Sequence, residues 1–70
     1  MGSVVDEPPL SPRQRQVLEL LGDGRGPCAI ADQLDLSVAT VRNHIAAVLH
    51  RLQCHSQLEA VAVARRRGLI

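Results

Sequence analysis

Hydrophobic residues fall along this chain in four bursts, each at helical spacing and each followed by a polar or glycine-rich break. The first places Val17, Leu18 and Leu21 on one face, with Leu20 beside them and Arg13, Arg15 and Glu19 left to solvent. Ser11 stands before it, Pro12 supplies a first-turn φ and Gln14 completes a Ser-x-x-Gln capping box, which predicts a helix to about Leu21. Gly22-Asp23-Gly24-Arg25-Gly26 then stops it, because three glycines in five residues carry too large an entropic cost for a helix to continue. Pro27 opens a second, short helix with a narrow stripe of Ile30, Ala31 and Leu34, interrupted by Asp35-Leu36-Ser37.

The third burst is the strongest. Val41, Ile45, Val48, Leu49 and Leu52 recur at i, i+4, i+7, i+8 and i+11, and Ser37 is placed to cap a helix over 38–52. Gln53-Cys54-His55 breaks it, Ser56-Gln57-Leu58-Glu59 is a second capping box, and Gly68 closes a fourth helix with Leu69 and Ile70 placed to fold back. No segment alternates like a strand. The expected fold is all-α, a compact four-helix bundle over residues 10–70, preceded by a flexible tail or linker remnant at residues 1–9, of which Met1-Gly2-Ser3 reads as an expression remnant.

The fourth helix is apolar on two sides: Leu58, Val61, Ala62 and the stem of Arg65 on one, Ala60, Val63 and Ala64 on the other. Two apolar sides call for two partners. Ala60, Val63, Ala64 and Arg67 are therefore candidates for contact with the same helix of a second subunit.

Composition narrows the function. Seventy residues without a single Phe, Tyr or Trp leave no room for a substrate pocket beside a cofactor fold, and no rings on which single-stranded bases could stack. The net charge of +1 conceals an asymmetry: residues 1–35 carry three arginines against six acids, and residues 36–70 carry five arginines and all three histidines against Glu59 alone. That gives −3 for the first half and +4 for the second, the pattern of a scaffold joined to a surface that meets an anion. Every cation is Arg, the side chain suited to bidentate contact with phosphate or guanine, although codon composition accounts for that usage equally well.

Cys28 and Cys54 form no CxxC pair, and no apolar run reaches signal or membrane-spanning length, so a reducing, cytoplasmic setting without membrane contact is expected. Cys54 reads as a small core residue and Cys28 as the more exposed thiol. His50, Cys54 and His55, with His44 or Cys28, lack any standard zinc spacing; no metal and no cofactor are expected. A Cys-His nucleophile would have neither an orienting acid nor a pocket, and the glycine-rich loop lacks the Lys-Ser/Thr ending of a phosphate-binding loop. Arg65-Arg66-Arg67 is read first as a favourable match to the negative end of its helix, and second as a DNA-contacting patch.

Projected at about 100° per residue, the third helix shows Ala39, Asn43, Ala46 and His50 opposite its apolar stripe, flanked by Arg42, Ala47 and Gln53. That face is small as well as polar. Alanines let a helix axis approach a surface, and Arg and Asn match guanine and adenine edges in the major groove. A short helix, a three-residue turn and a longer capped helix form either a helix-turn-helix or a plain αα-hairpin, and spacing alone does not choose between them.

The residues themselves go further. Leu10-Ser11-Pro12-Arg13, then Ile30-Ala31 through Leu34 with Leu36-Ser37, then Thr40-Val41-Arg42-Asn43-His44-Ile45 and Glu59-Ala60 together resemble the DNA-binding domain of LuxR-type regulators, the GerE or NarL-like class, over residues 10–70. The resemblance implies a four-helix domain that binds duplex DNA through its third helix and commonly dimerises through its fourth, with no enzymatic activity. By position it implies base or backbone contacts from Arg42 and Asn43, an approach face of Ala39, Ala46 and Ala47, and phosphate contacts from Ser37, Thr40, His50 and Arg51. It also implies a regulatory domain upstream. The chain departs from the family where Pro27-Cys28-Ala29 replaces Asn-Lys-Glu, where Ala39 replaces a frequent Lys, and where Gln53-Cys54 and Gln57 replace the usual Gly-Val and Arg. The competing expectation is a helical protein-interaction module that has kept this fold without binding DNA.

Overall fold

The computed structural model describes residues 10–70, and the expected tail at residues 1–9 lies outside the described residues. The chain forms α1 (Pro12–Gly22), α2 (Pro27–Leu34), α3 (Val38–Leu52) and α4 (Gln57–Arg66), with no strand among the described residues. α3 packs against all three other helices, whereas α2 and α4 do not meet.

The core accordingly divides into two clusters. Val17, Ile30, Ala31, Val41 and Ile45 join α1, α2 and the first half of α3. Leu10, Leu18, Val48, Leu52, Ala60, Val61 and Ala64 join α1, the second half of α3 and α4. Leu21 and Leu49 pack against both clusters and so seal the seam between them. The apolar stripe of α3 is buried as its periodicity requires, with exposures of 0% at Val41, 5% at Ile45, 1% at Val48 and 4% at Leu52.

Three helix starts follow the sequence signals closely. Ser11 Oγ accepts from the Gln14 backbone N–H at 3.1 Å while Gln14 Oε1 accepts from the Ser11 N–H at 3.1 Å, a complete capping box. Ser37 Oγ accepts from the Thr40 N–H at 3.0 Å and Ser56 Oγ from the Glu59 N–H at 3.1 Å. The box at α4 is altered: the Glu59 carboxylate reaches past Ser56 to accept from the His55 N–H at 2.7 Å, which ties the preceding turn to the helix.

All four helices end in the same left-handed motif, in which an N–H two residues past the last full turn returns to a carbonyl five residues back. These bonds run Arg25 to Leu20, Leu36 to Ala31, Cys54 to Leu49 and Leu69 to Ala64, at 2.8–3.1 Å. Gly24 and Gly68 supply the left-handed residue at the ends of α1 and α4, as glycine readily does. Asp35 (φ 58°) and Gln53 (φ 57°) supply it at the other two. The departure at Gln53 thus leaves the turn geometry of a glycine in place and carries the steric cost of a Cβ there.

Two sequence expectations change. α1 runs one residue further than its glycines suggested, to Gly22, because Gly24 is the residue that turns the chain. On α4, Ala60 and Ala64 are 1% and 0% exposed and lie in the subunit's own core with Val61, and Val63 is buried as well, so Ala60 and Ala64 do not form an outward face. The apolar residues that α4 turns outward are Leu58 and Ala62. Two-sided apolarity misled the projection because α4 is wedged against both α1 and α3.

Replacing Gln53 by Gly removes the left-handed strain without touching a packed side chain, and is expected to stabilise the domain by about 0.5–1 kcal/mol. A rise in thermal midpoint checks this, and Gln53→Ala, which retains the Cβ, should show no comparable gain.

Candidate nucleic-acid interface

The burial of Val41, Ile45, Val48 and Leu52 fixes what α3 turns outward. Ala39, Arg42, Asn43, Ala46 and His50 are exposed, and Thr40, His44 and Ala47 are half-buried at the margins. No exposed residue of this face between Ala39 and His50 is acidic, and the large aliphatic residues of α3 lie on the other side. Neither Arg42 nor Asn43 is held by a partner within the domain.

The N-terminus of α3 is organised by a hydroxyl pair. Besides capping the helix, Ser37 Oγ donates to Thr40 Oγ1 at 2.8 Å, so both hydroxyls sit together at the positive end of the helix. Its last turn carries His50 and Arg51, both exposed, where cations are favourable against the helix dipole.

Beside Arg42 and Ala46 lies a shallow cleft of about 320 Å³, completed by Pro27, Ile45, Leu49 and Gln57. Pro27 and Gln57 are the first residues of α2 and α4, so two further helix starts flank the edge of the exposed face. Gly26 gives α2 no side-chain cap, which leaves first-turn amides open to an outside acceptor. Sequence reading had not marked Gln57 as part of this surface. Its signal was positional: a polar residue just after the Ser56 cap stands at the same end of the bundle as Pro27.

The arginine run resolves differently. Arg65 donates to the Gly22 carbonyl at 3.0 Å, bridging α4 to the C-terminal end of α1 rather than serving its own helix alone. Gly22 makes room for it, since a Cβ there would stand 3.1 Å from the guanidinium. Cys28 is exposed, whereas Cys54 is half-buried against the α1–α3–α4 cluster with its Sγ 3.5 Å from the Leu52 carbonyl. Among the described residues no cluster of His, Cys, Asp and Glu could hold a metal ion, and no helix is long and apolar enough to cross a membrane.

A short helix, a tight turn and a longer helix with one exposed, acid-free face have the build of a helix-turn-helix, the class that binds nucleic acid through its second helix. The family model for bacterial regulatory proteins of the luxR family, GerE, matches residues 8–64, and the chain belongs to that family. It is a LuxR-type helix-turn-helix DNA-binding domain of transcription regulators, a family without enzymatic activity. The chain is 37% identical over 60 residues to the transcriptional regulatory protein DesR of Bacillus subtilis (strain 168), covering 86% of this chain and 30% of that protein. It is 37% identical over 62 residues to the spore germination protein GerE of the same organism, covering 89% of this chain and 84% of the relative. The solved structure of the transcription factor GerE superimposes with a TM-score of 0.85 at 30% identity, over 90% of this chain and 94% of that one.

Loss of the Ser37 cap strands the Thr40 N–H and removes the hydroxyl partner of Thr40. Ser37→Ala is expected to cost about 1 kcal/mol of stability in denaturant unfolding, while Ser37→Asp, which can still accept from that N–H, should restore most of it.

Proposed function

We propose that this domain reads duplex DNA by laying α3 in the major groove, acting as the output of a bacterial transcription regulator. The observation that carries this reading is the outer face of α3: exposed from Ala39 to His50, small at Ala39 and Ala46, and presenting Arg42 and Asn43 with no partner of their own. Arg42 and Asn43 then meet base edges. Ser37, Thr40, His50 and Arg51 contact phosphates, Ala47 lines the approach, and Gln57 adds a flanking polar contact. The chain spans about 30% of DesR, so a regulatory domain upstream in the full-length protein is part of the same proposal, with residues 1–9 as the connection to it and the cytoplasm as the place of action.

Two copies pair through α4, placing two α3 helices about one turn of DNA apart. The burial of Ala60 and Ala64 moves the expected contact to Leu58 and Ala62, one turn apart on the helix, with Val63 and Arg67 at its margin. Leu58 is 81% exposed and is the only large hydrophobic residue so exposed among those described. Leu58→Glu should therefore abolish self-association in sedimentation and the paired complex in gel shifts, while leaving the unfolding midpoint of the domain nearly unchanged.

Arg42→Ala should weaken the preferred sequence by about 1–3 kcal/mol and relax preference at one base pair. If affinity falls equally for all sequences and the salt dependence flattens, Arg42 is a phosphate contact instead. Absence of salt-dependent binding to any duplex would leave the protein-interaction reading in its place.

A further inference from the structure

We infer that Asn43 reads an adenine, and that the half-site carries this A·T pair beside thymines whose methyl groups meet Ala39 and Ala46. The inference rests on the proposed docking of α3 in the major groove and assigns the base chemistry that docking selects.

The surroundings of Asn43 on its own helix are small. Its four neighbours at i±3 and i±4 are Ala39, Thr40, Ala46 and Ala47, none of which extends beyond three heavy atoms from the backbone. The Thr40 hydroxyl is turned toward Ser37, its Oγ1 accepting from Ser37 Oγ at 2.8 Å, and no hydrogen bond within the domain claims the Asn43 carboxamide. Asn43 is therefore a short, exposed carboxamide with nothing long beside it on its own ridge. It can reach a base only if the helix comes close, and these neighbours allow that approach.

A carboxamide offers one acceptor and one donor group side by side. Adenine presents the complementary pair in the major groove, an N6 donor and an N7 acceptor. Guanine presents two acceptors, so the carboxamide oxygen would face O6 without a proton between them, and the pyrimidines offer only one group each. Methyl side chains flanking the contact favour the thymine C5-methyl over the cytosine C5–H. Arg42 is turned one residue round the helix and extends past this patch, so its contact falls on a separate base pair or phosphate.

The test begins with selection of duplexes from a randomised pool by the wild-type domain and by Asn43→Ala. Base analogues are then placed in the selected half-site. The wild type should select adenine at one position, and changing that pair to G·C, or its adenine to 7-deazaadenine, should weaken binding about tenfold. Asn43→Ala, its fold checked by circular dichroism, should bind both versions alike. Uracil in place of a neighbouring thymine should weaken the wild type a few-fold through loss of the methyl group alone. A discrimination that survives Asn43→Ala, or tolerance of 7-deazaadenine, overturns the assignment while leaving major-groove binding standing. Failure of any duplex to bind in a salt-dependent way overturns the docking itself, and the assignment with it.

Discussion

The domain depends on one helix satisfying two opposed demands. α3 must bury Val41, Ile45, Val48 and Leu52 in order to help α1 hold together α2 and α4, which do not touch one another, and leaves its other side exposed. Each such side chain contributes about 1.5–3 kcal/mol on burial, so the stripe carries stabilisation comparable to the roughly 5–15 kcal/mol by which whole domains are stable. Conformational entropy offsets most of that gain. Because α2 and α4 meet only through α1 and α3, the outer face of α3 is fixed in direction by both clusters and does not depend on any residue of that face itself. Its side chains can change with little cost to folding, which under the proposed docking would let one scaffold serve different DNA sequences.

Helix ends supply the second layer of order. Four left-handed terminations let the helices stop abruptly, and the first three lead into loops of a few residues. The Arg65 bond to the Gly22 carbonyl adds a tie between α4 and α1 that joins positions 43 residues apart in the chain. Gly22 thus serves through its missing side chain more than through its backbone freedom.

Much of this was legible in the sequence. Periodicity located the stripe of α3, the hydroxyl residues marked three helix starts, and alternation of burst and break gave the helix order, because each of these is a local property. The faces of α4 were less legible. Ala60, Val61, Val63 and Ala64 are apolar on two sides because that helix is wedged between neighbours, and a one-dimensional pattern cannot say whether the second neighbour belongs to the same chain. Gln57 was missed for a related reason: its place beside Arg42 is set by the packing of α4 on α3, not by anything near it in sequence. Gln53 and Asp35 in left-handed conformations were also hidden, since glycine is the residue that advertises that turn.

The charge asymmetry acquires a sharper meaning once the arginines are placed. Of the five in the second half of the chain, only Arg42 and Arg51 belong to α3, while Arg65 reaches toward α1, Arg66 closes the last turn of α4 and Arg67 caps it, at the end opposite Gln57. Were α3 to meet DNA as proposed, its two arginines would neutralise few phosphates, and counterion release from so few contacts favours only weak binding at physiological salt. Under the proposed docking, affinity must then come from somewhere other than net charge. In that proposal close approach along the alanine-lined face would supply part of it through base contacts, and the proposed pairing of two domains would supply the rest by making the second half-site an intramolecular target. A modest net charge is thus consistent with a reader whose selectivity exceeds its general attraction to DNA, because the non-specific, salt-driven term against which specific contacts compete is itself small.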